Sequence, residues 1–273
     1  MVSLCYSDLP RVLVDFTAIL KESNLTEFKW NKLRSARERF AALKLVELAV
    51  NKVMTGVLRL DILVWDTHDS RHRVAKRDDI ANLHRMYHHL FKNVLRERWC
   101  NNADWLLCPD EHTAMKWHDV NFHLGNVSHR LHITPNLFKP HSLVDLDRVF
   151  SIREIKPCQS NHEPLIQLVD LFAGMAVYSR SEYEKYSAWK TKNNEQMSLL
   201  SLIQPPAIDL SPGDQEKCCV LNHFKKHCDA KKLGVSLQSS QGLRTFKPQN
   251  PVNFWWYTPQ HETDKAPIKQ MRY

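Results

Sequence analysis

No run of about 18 apolar residues, the length a helix needs to cross a bilayer, occurs anywhere in this 273-residue chain. The apolar stretch 164–178 (PLIQLVDLFAGMAVY) is too short and carries an acid, so no transmembrane helix and no membrane partner are expected. The opening MVSLCYSDLP lacks the basic flank and apolar block of a secretory signal. Cysteines number seven, an odd count without small-domain spacing. That argues against a disulfide framework and fits the reduced thiols of a cytoplasmic protein. Internal repeats and low-complexity tracts are also missing.

What is present is the composition of a folded protein, 43% hydrophobic and 25% charged. The length suits one large domain, or one domain with an appended piece. Lys and Arg number 38 against 30 Asp and Glu, a net charge of +8. Such an excess favours a polyanionic partner such as nucleic acid, because phosphate neutralisation supplies most non-specific affinity. The basic residues are scattered through 31–46, 71–77, 92–98 and 225–232, so they fit solvated helix faces as well. A protein partner is left open.

Periodicity predicts helices over 8–22, 31–53 and 78–99, and an extended segment over 27–30. Strands are expected at 56–65 (GVLRLDILVW), at 104–108, and in RVFSIREIK up to Lys156. Further helices are expected after Asp110, from Pro164, over 183–194 and at CCVLNHFKKHC, with QPPAIDLSPG as a loop. Two or three short strands close the fold before a tail, from Gln260, that is expected to be disordered. Strands separated by long helices indicate an α/β sheet with helical cover.

In the helix from Pro164, Gln167 and Asp170 interrupt an otherwise apolar run and share one face, which Gly174 continues one turn further on. Ser160 and Glu163 stand in capping-box spacing ahead of it. A carboxylate inside a core is costly unless paired, hydrogen-bonded or bound to metal. Asp170 therefore pairs with a neighbouring Arg or Lys, with Gln167 capping a backbone group, or it belongs to a site. Asp110 ends a predicted strand and precedes Glu111, Asp61 and Asp66 lie in and beyond another, and Glu27 precedes an extended segment. Carboxylates converging from strand ends and a helix can hold two divalent ions for phosphodiester cleavage. Mg²⁺ or Mn²⁺ suits such oxygen ligands. Asp110 fits a helix N-cap equally well. Cys218, Cys219, His223, His227 and Cys228 form a further cluster on one helix. His223 and His227 supply half of a zinc site by spacing, and the alternative is a charged helix with incidental thiols.

Several of these segments resemble the widespread bacterial and phage family catalogued as domain of unknown function 3800, grouped with the ribonuclease H-like fold. Glu27-Phe28-Lys29-Trp30 resembles its Glu-x-Lys-Trp motif. SIREIKPCQSNHEPLIQLVDLFAGMAVY is similar to its most specific signature, a strand, a Ser-containing turn and Gln-x-x-Asp before an Ala-Gly pair, matched by Gln167, Asp170, Ala173 and Gly174. Residues 104–110 resemble its middle strand with a terminal Asp, and GVSLQSSQGLRTFKPQNPVNFWWYTP its closing segment. The family usually opens with a strand ending in Asp-Glu-Ser/Thr-Gly, which this chain lacks. The first strand is therefore expected to be missing, either because the start is misplaced or trimmed or because part of the site has been lost.

The resemblance implies a ribonuclease H-like core over 1–179 with a mixed sheet and flanking helices. A helical insertion would follow over 180–232, then closing strands over 233–259 and the tail, 260–273. It implies a metal-dependent nuclease hydrolysing phosphodiester bonds in nucleic acid, with Asp110 and Asp170 as ligands of Mg²⁺ or Mn²⁺. Gln167 would orient a ligand or phosphate, and Glu27 would be a third ligand or support one. Lys29 and Ser160 would contact the substrate. The competing expectation is a non-catalytic nucleic-acid-binding or interaction protein with a degenerate site.

Overall fold

The computed structural model describes residues 1–67, 77–100, 102–134, 143–195 and 210–258. The tail from Gln260, most of the loop QPPAIDLSPG and basic residues 71–76 lie outside them. The first elements are β1 (Val2–Leu4), α1 (Leu9–Glu22), α2 (Ala36–Met54), β2 (Leu58–Val64) and α3 (Asp79–Glu97). Next come β3 (Ala103–Leu107), α4 (Trp117–Gly125), β4 (His129–Thr134), β5 (Leu143–Arg148) and β6 (Phe150–Ile155). The chain then forms α5 (Pro164–Ser181), α6 (Tyr183–Glu195), α7 (Pro212–Ala230), β7 (Val235–Ser236), β8 (Arg244–Thr245) and β9 (Val252–Trp256). This is a mixed α/β protein in which helices flank a small mixed sheet. The strands do not join into one sheet: among the described residues they form one three-stranded sheet and three pairs.

Two compact units divide the chain, the first made of Met1–Val64 with Gln159–Trp256, the second of Trp65–Cys158 with the C-terminal residues. The expected continuous core over 1–179 is thus regrouped. In the first unit β2 is central, antiparallel to β1 and parallel to β9, with Leu60 opposite Val252 and Ile62 opposite Phe254. A strand covered on both faces reads as a near-continuous apolar run, which is how LRLDILV reads. Its exception, Asp61, is fully buried and held by Arg59 at 2.9 Å. Arg59 also donates to the carbonyls of Pro248, Gln249 and Asn250 ahead of β9. Asp61 is therefore committed to joining β2 to that loop.

Three further differences have local causes. A strand, β1, precedes the first helix where none is expected, although no Asp-Glu stands at its end. α2 begins at Ala36 rather than Asn31, because Ser35 and Glu38 form the capping box and Trp30–Lys32 make a separate 3₁₀ turn. Within the 180–232 segment, expected as an insertion, α7 buries Cys218, Val220, Leu221, Phe224 and Cys228 in the core that α2 shares. Phe224 sits between Phe172 of α5 and Phe254 of β9, with ring centroids 5.4 and 5.9 Å away. The expected closing strands are β7 to β9, and β9 completes the sheet.

In the second unit β3 runs parallel to β6, with a register shift between Trp105 and Leu106. β4 and β5 form an antiparallel pair, and α3 starts at the Asp78 N-cap, which accepts from Ala81 N at 2.7 Å. Beyond β3 the chain stays extended to Asp110, which bridges to Cys158. The helix expected after Asp110 begins only at Trp117, so Asp110 is not its N-cap.

Candidate functional site

Gln167 and Asp170 project from α5 towards the segment Glu27–Trp30. Lys29 is extended there, with φ −139° and ψ 131°, so the backbone N–H groups of residues 28 and 30 point to one side. They meet two acceptors three residues apart on one helix face. Phe28 N donates to Gln167 Oε1 at 2.8 Å, and Trp30 N donates to Asp170 Oδ2 at 2.7 Å. The Gln167 amide nitrogen donates to the Ser160 carbonyl at 2.8 Å. A single buried side chain therefore ties the turn before α5 to a segment far away in sequence.

Ser160 and Glu27 complete the arrangement. Ser160 Oγ donates to Glu27 Oε1 at 3.0 Å, and Lys29 Nζ lies 3.4 Å from the same oxygen. The capping box expected from Ser160 and Glu163 is not formed: the Glu163 N–H donates to the Gln159 carbonyl at 3.1 Å, and the Ser160 hydroxyl donates to Glu27. Glu163 is itself the N-cap of α5, accepting from Leu165 N. Glu27, Lys29, Ser160, Gln167 and Asp170 are thus brought together within the first unit, whereas Asp110 belongs to the second and is exposed. The partner of Asp170 is the backbone N–H of Trp30 rather than the expected Arg or Lys.

Gly174 lies on the same face as Asp170, against the indole of Trp30 rather than against the sheet. A Cβ at this position would stand 2.2 Å from Trp30 Cγ. Trp30 in turn meets Tyr178 edge-on at 5.9 Å. The two rings border an open groove that is also lined by Asp170, Gly174, Asp214 and Lys217.

Two of the acids at this groove are committed elsewhere. Lys185 Nζ bonds Glu182 at 2.9 Å and Asp214 at 3.3 Å. Burial raises the Asp214 carboxyl, but hydrogen bonds from Ser211, Lys185 and Tyr178 outweigh it and hold it below its ordinary value. Tyr178 is pushed up, first by burial and then by its hydrogen bond with Cys218. Asp170 Oδ1 has no partner among the described residues.

Fit to a divalent ion can be judged from these contacts. Asp170 has one oxygen to offer, and the Glu27 carboxylate already holds Lys29. Within the first unit the described residues gather no group of three ligating side chains around Asp170. They do not by themselves fit a two-ion centre of Mg²⁺ or Mn²⁺. A different group of three, Glu47, His223 and His227, does come together in this unit. Sequence spacing marks the two histidines, but nothing in the sequence singles out Glu47.

The chain is 38% identical to the uncharacterized protein ORF2′ of Methanothermobacter thermautotrophicus over 256 residues, 92% of this chain and 84% of that protein. The chain belongs to this ORF2 family. A second ORF2 protein from the same organism is 37% identical over 255 residues, again 92% of this chain and 84% of the relative. No family model and no solved structure match the chain. At 92% coverage the ORF2 relationship extends over nearly all of the chain rather than one local motif.

Proposed function

We propose that this chain is a nucleic-acid-binding protein on a ribonuclease H-like frame, whose Gln-x-x-Asp helix organises the Glu27–Trp30 segment instead of holding a catalytic pair of ions. One observation carries the reading: Gln167 and Asp170 are spent on the Phe28 and Trp30 amides. The frame rests on the resemblance of the Glu-x-Lys-Trp, Gln-x-x-Asp and closing segments. The nucleic-acid partner rests on the net charge of +8. Lys29, half-buried beside Glu27, is the cation of the motif and would meet a phosphate oxygen. Fluorescence anisotropy with single- and double-stranded oligonucleotides at two salt concentrations tests this. Binding should weaken steeply from low to physiological salt, and no binding at low salt would refute it.

A second reading, a divalent-metal-dependent nuclease, is favoured by the open Oδ1 of Asp170 at the groove. Asp170 and Glu27 would then bind Mg²⁺ or Mn²⁺, and Mn²⁺ would raise the melting temperature by mass action. In the preferred reading any effect of Mn²⁺ on the melting temperature is the same in wild type and in Asp170→Asn.

A further inference from the structure

α7 carries His223 and His227 at a spacing of four residues, one helical turn apart, with ring centroids separated by 4.4 Å. α2 runs alongside and contributes Glu47, whose Oε1 lies 3.3 Å from His223 Nε2. That approach is not aligned as a hydrogen bond. The His223 Nε2 atom is shut off from solvent and has no hydrogen-bond partner. One ligand atom from each of the three side chains comes within 4.8 Å of the other two.

We propose that Glu47, His223 and His227 form a binding site for a divalent transition metal of the zinc class, linking α2 to α7. Two imidazoles and a carboxylate are a donor set for zinc, while magnesium and calcium prefer oxygen ligands throughout. Ligands about 2.0–2.1 Å from a tetrahedral zinc stand roughly 3.3 Å from one another. The present spread needs a shift of the order of 1 Å. All three side chains are only partly buried and can make it by rotating. The competing cation is Lys44, 3.6 Å from Glu47 Oε2 on a half-exposed side chain that can swing away. Three protein ligands leave a fourth position for water or a further ligand. Cys218 and Cys228 are buried in the core, and Cys219 lies outside the group. The site is therefore one of nitrogen and oxygen, not of sulfur.

Isothermal titration of the full chain with Zn²⁺, paired with Co²⁺ absorption spectra, tests the site. The expected result is one tight Zn²⁺ per chain and a cobalt spectrum without thiolate charge-transfer bands. His223→Gln and Glu47→Gln should each weaken Zn²⁺ binding by more than about 100-fold, beyond the loss caused by removing an outer-shell partner. Cys219→Ser should leave it unchanged. Circular dichroism shows whether each variant is folded, and Glu47→Gln, a near-isosteric change of a partly buried side chain, keeps the test open if His223→Gln does not fold. Wild-type affinity in folded Glu47→Gln, or uptake that disappears with Cys219→Ser, would overturn the proposal.

Discussion

Trp30 grips α5 at two points: its backbone N–H bonds Asp170 Oδ2 at 2.7 Å, and its indole covers the bare Cα of Gly174 one turn further on. The motif containing Trp30 and the motif containing Asp170 are therefore two halves of one contact. Glycine at 174 lets the indole lie against the helix, and the acid at 170 accepts from the segment that carries the indole.

Side chains at position 174 should conflict with Trp30. Gly174→Leu is expected to overpack this contact and cost about 1–3 kcal/mol. Thermal unfolding of the variant measures this, and a second variant carrying Trp30→Ala should recover part of the loss. An unchanged melting temperature in Gly174→Leu would contradict the contact.

Gln167 is 2% exposed and both accepts and donates through one amide. Gln167→Leu removes its bonds to the Phe28 N–H and the Ser160 carbonyl. Each group left unpaired should cost about 1–3 kcal/mol. Chemical denaturation checks the sum, and proteolysis near Glu27 should accelerate as the segment comes loose.

Asp170 separates the two functional readings by its pattern of substitutions. Asp170→Asn keeps an acceptor for Trp30 N–H and should cost only about 1 kcal/mol, the difference between a charge-assisted and a neutral hydrogen bond. Asp170→Ala leaves the N–H without its partner and should cost about 1–3 kcal/mol. If Mn²⁺ raises the melting temperature of wild type and not that of Asp170→Asn, the nuclease reading displaces the preferred one.

Acid should weaken the second unit through His88. Its imidazole is lowered from 6.5 to about 4, chiefly by burial and then by His89, Lys92 and His123. The unfolded chain takes up this proton near pH 6.5 but the folded unit only near pH 4, so acidification through that window favours unfolding. His88→Gln should flatten this part of the stability profile. NMR titration of the His88 ring should show a midpoint well below those of exposed histidines, and a midpoint near 6.5 would contradict the burial.

Elements with strong local signals were legible in the sequence. α1, α3, α5 and β2 lie where periodicity and caps place them, to within a few residues at their ends. Gln167 is an example of a site residue that was legible in part: its face and its role as a cap on a backbone group follow from the pattern, but its two partners do not. α7 was misjudged as part of an insertion because its apolar stripe is interleaved with Lys and His, which mask a face that only α2 and β9 reveal as core. Glu47 carried no signal at all, being one of several acids on a charged helix face.

By itself the sequence determined the local pieces: which segments become helix or strand, that Asp170 needs a partner, and that no helix of the described residues is long and apolar enough to cross a membrane. Those features depend on neighbours a few residues apart, whose spacing is written along the chain. Tertiary structure alone decided that the partner of Asp170 is the amide of Trp30, that Gly174 makes room for an indole, and that Glu47 faces His223 and His227. Each of these joins groups more than a hundred residues apart. Such pairings arise only when loop closure and core burial bring distant segments together, and no local pattern records which donor will reach which acceptor.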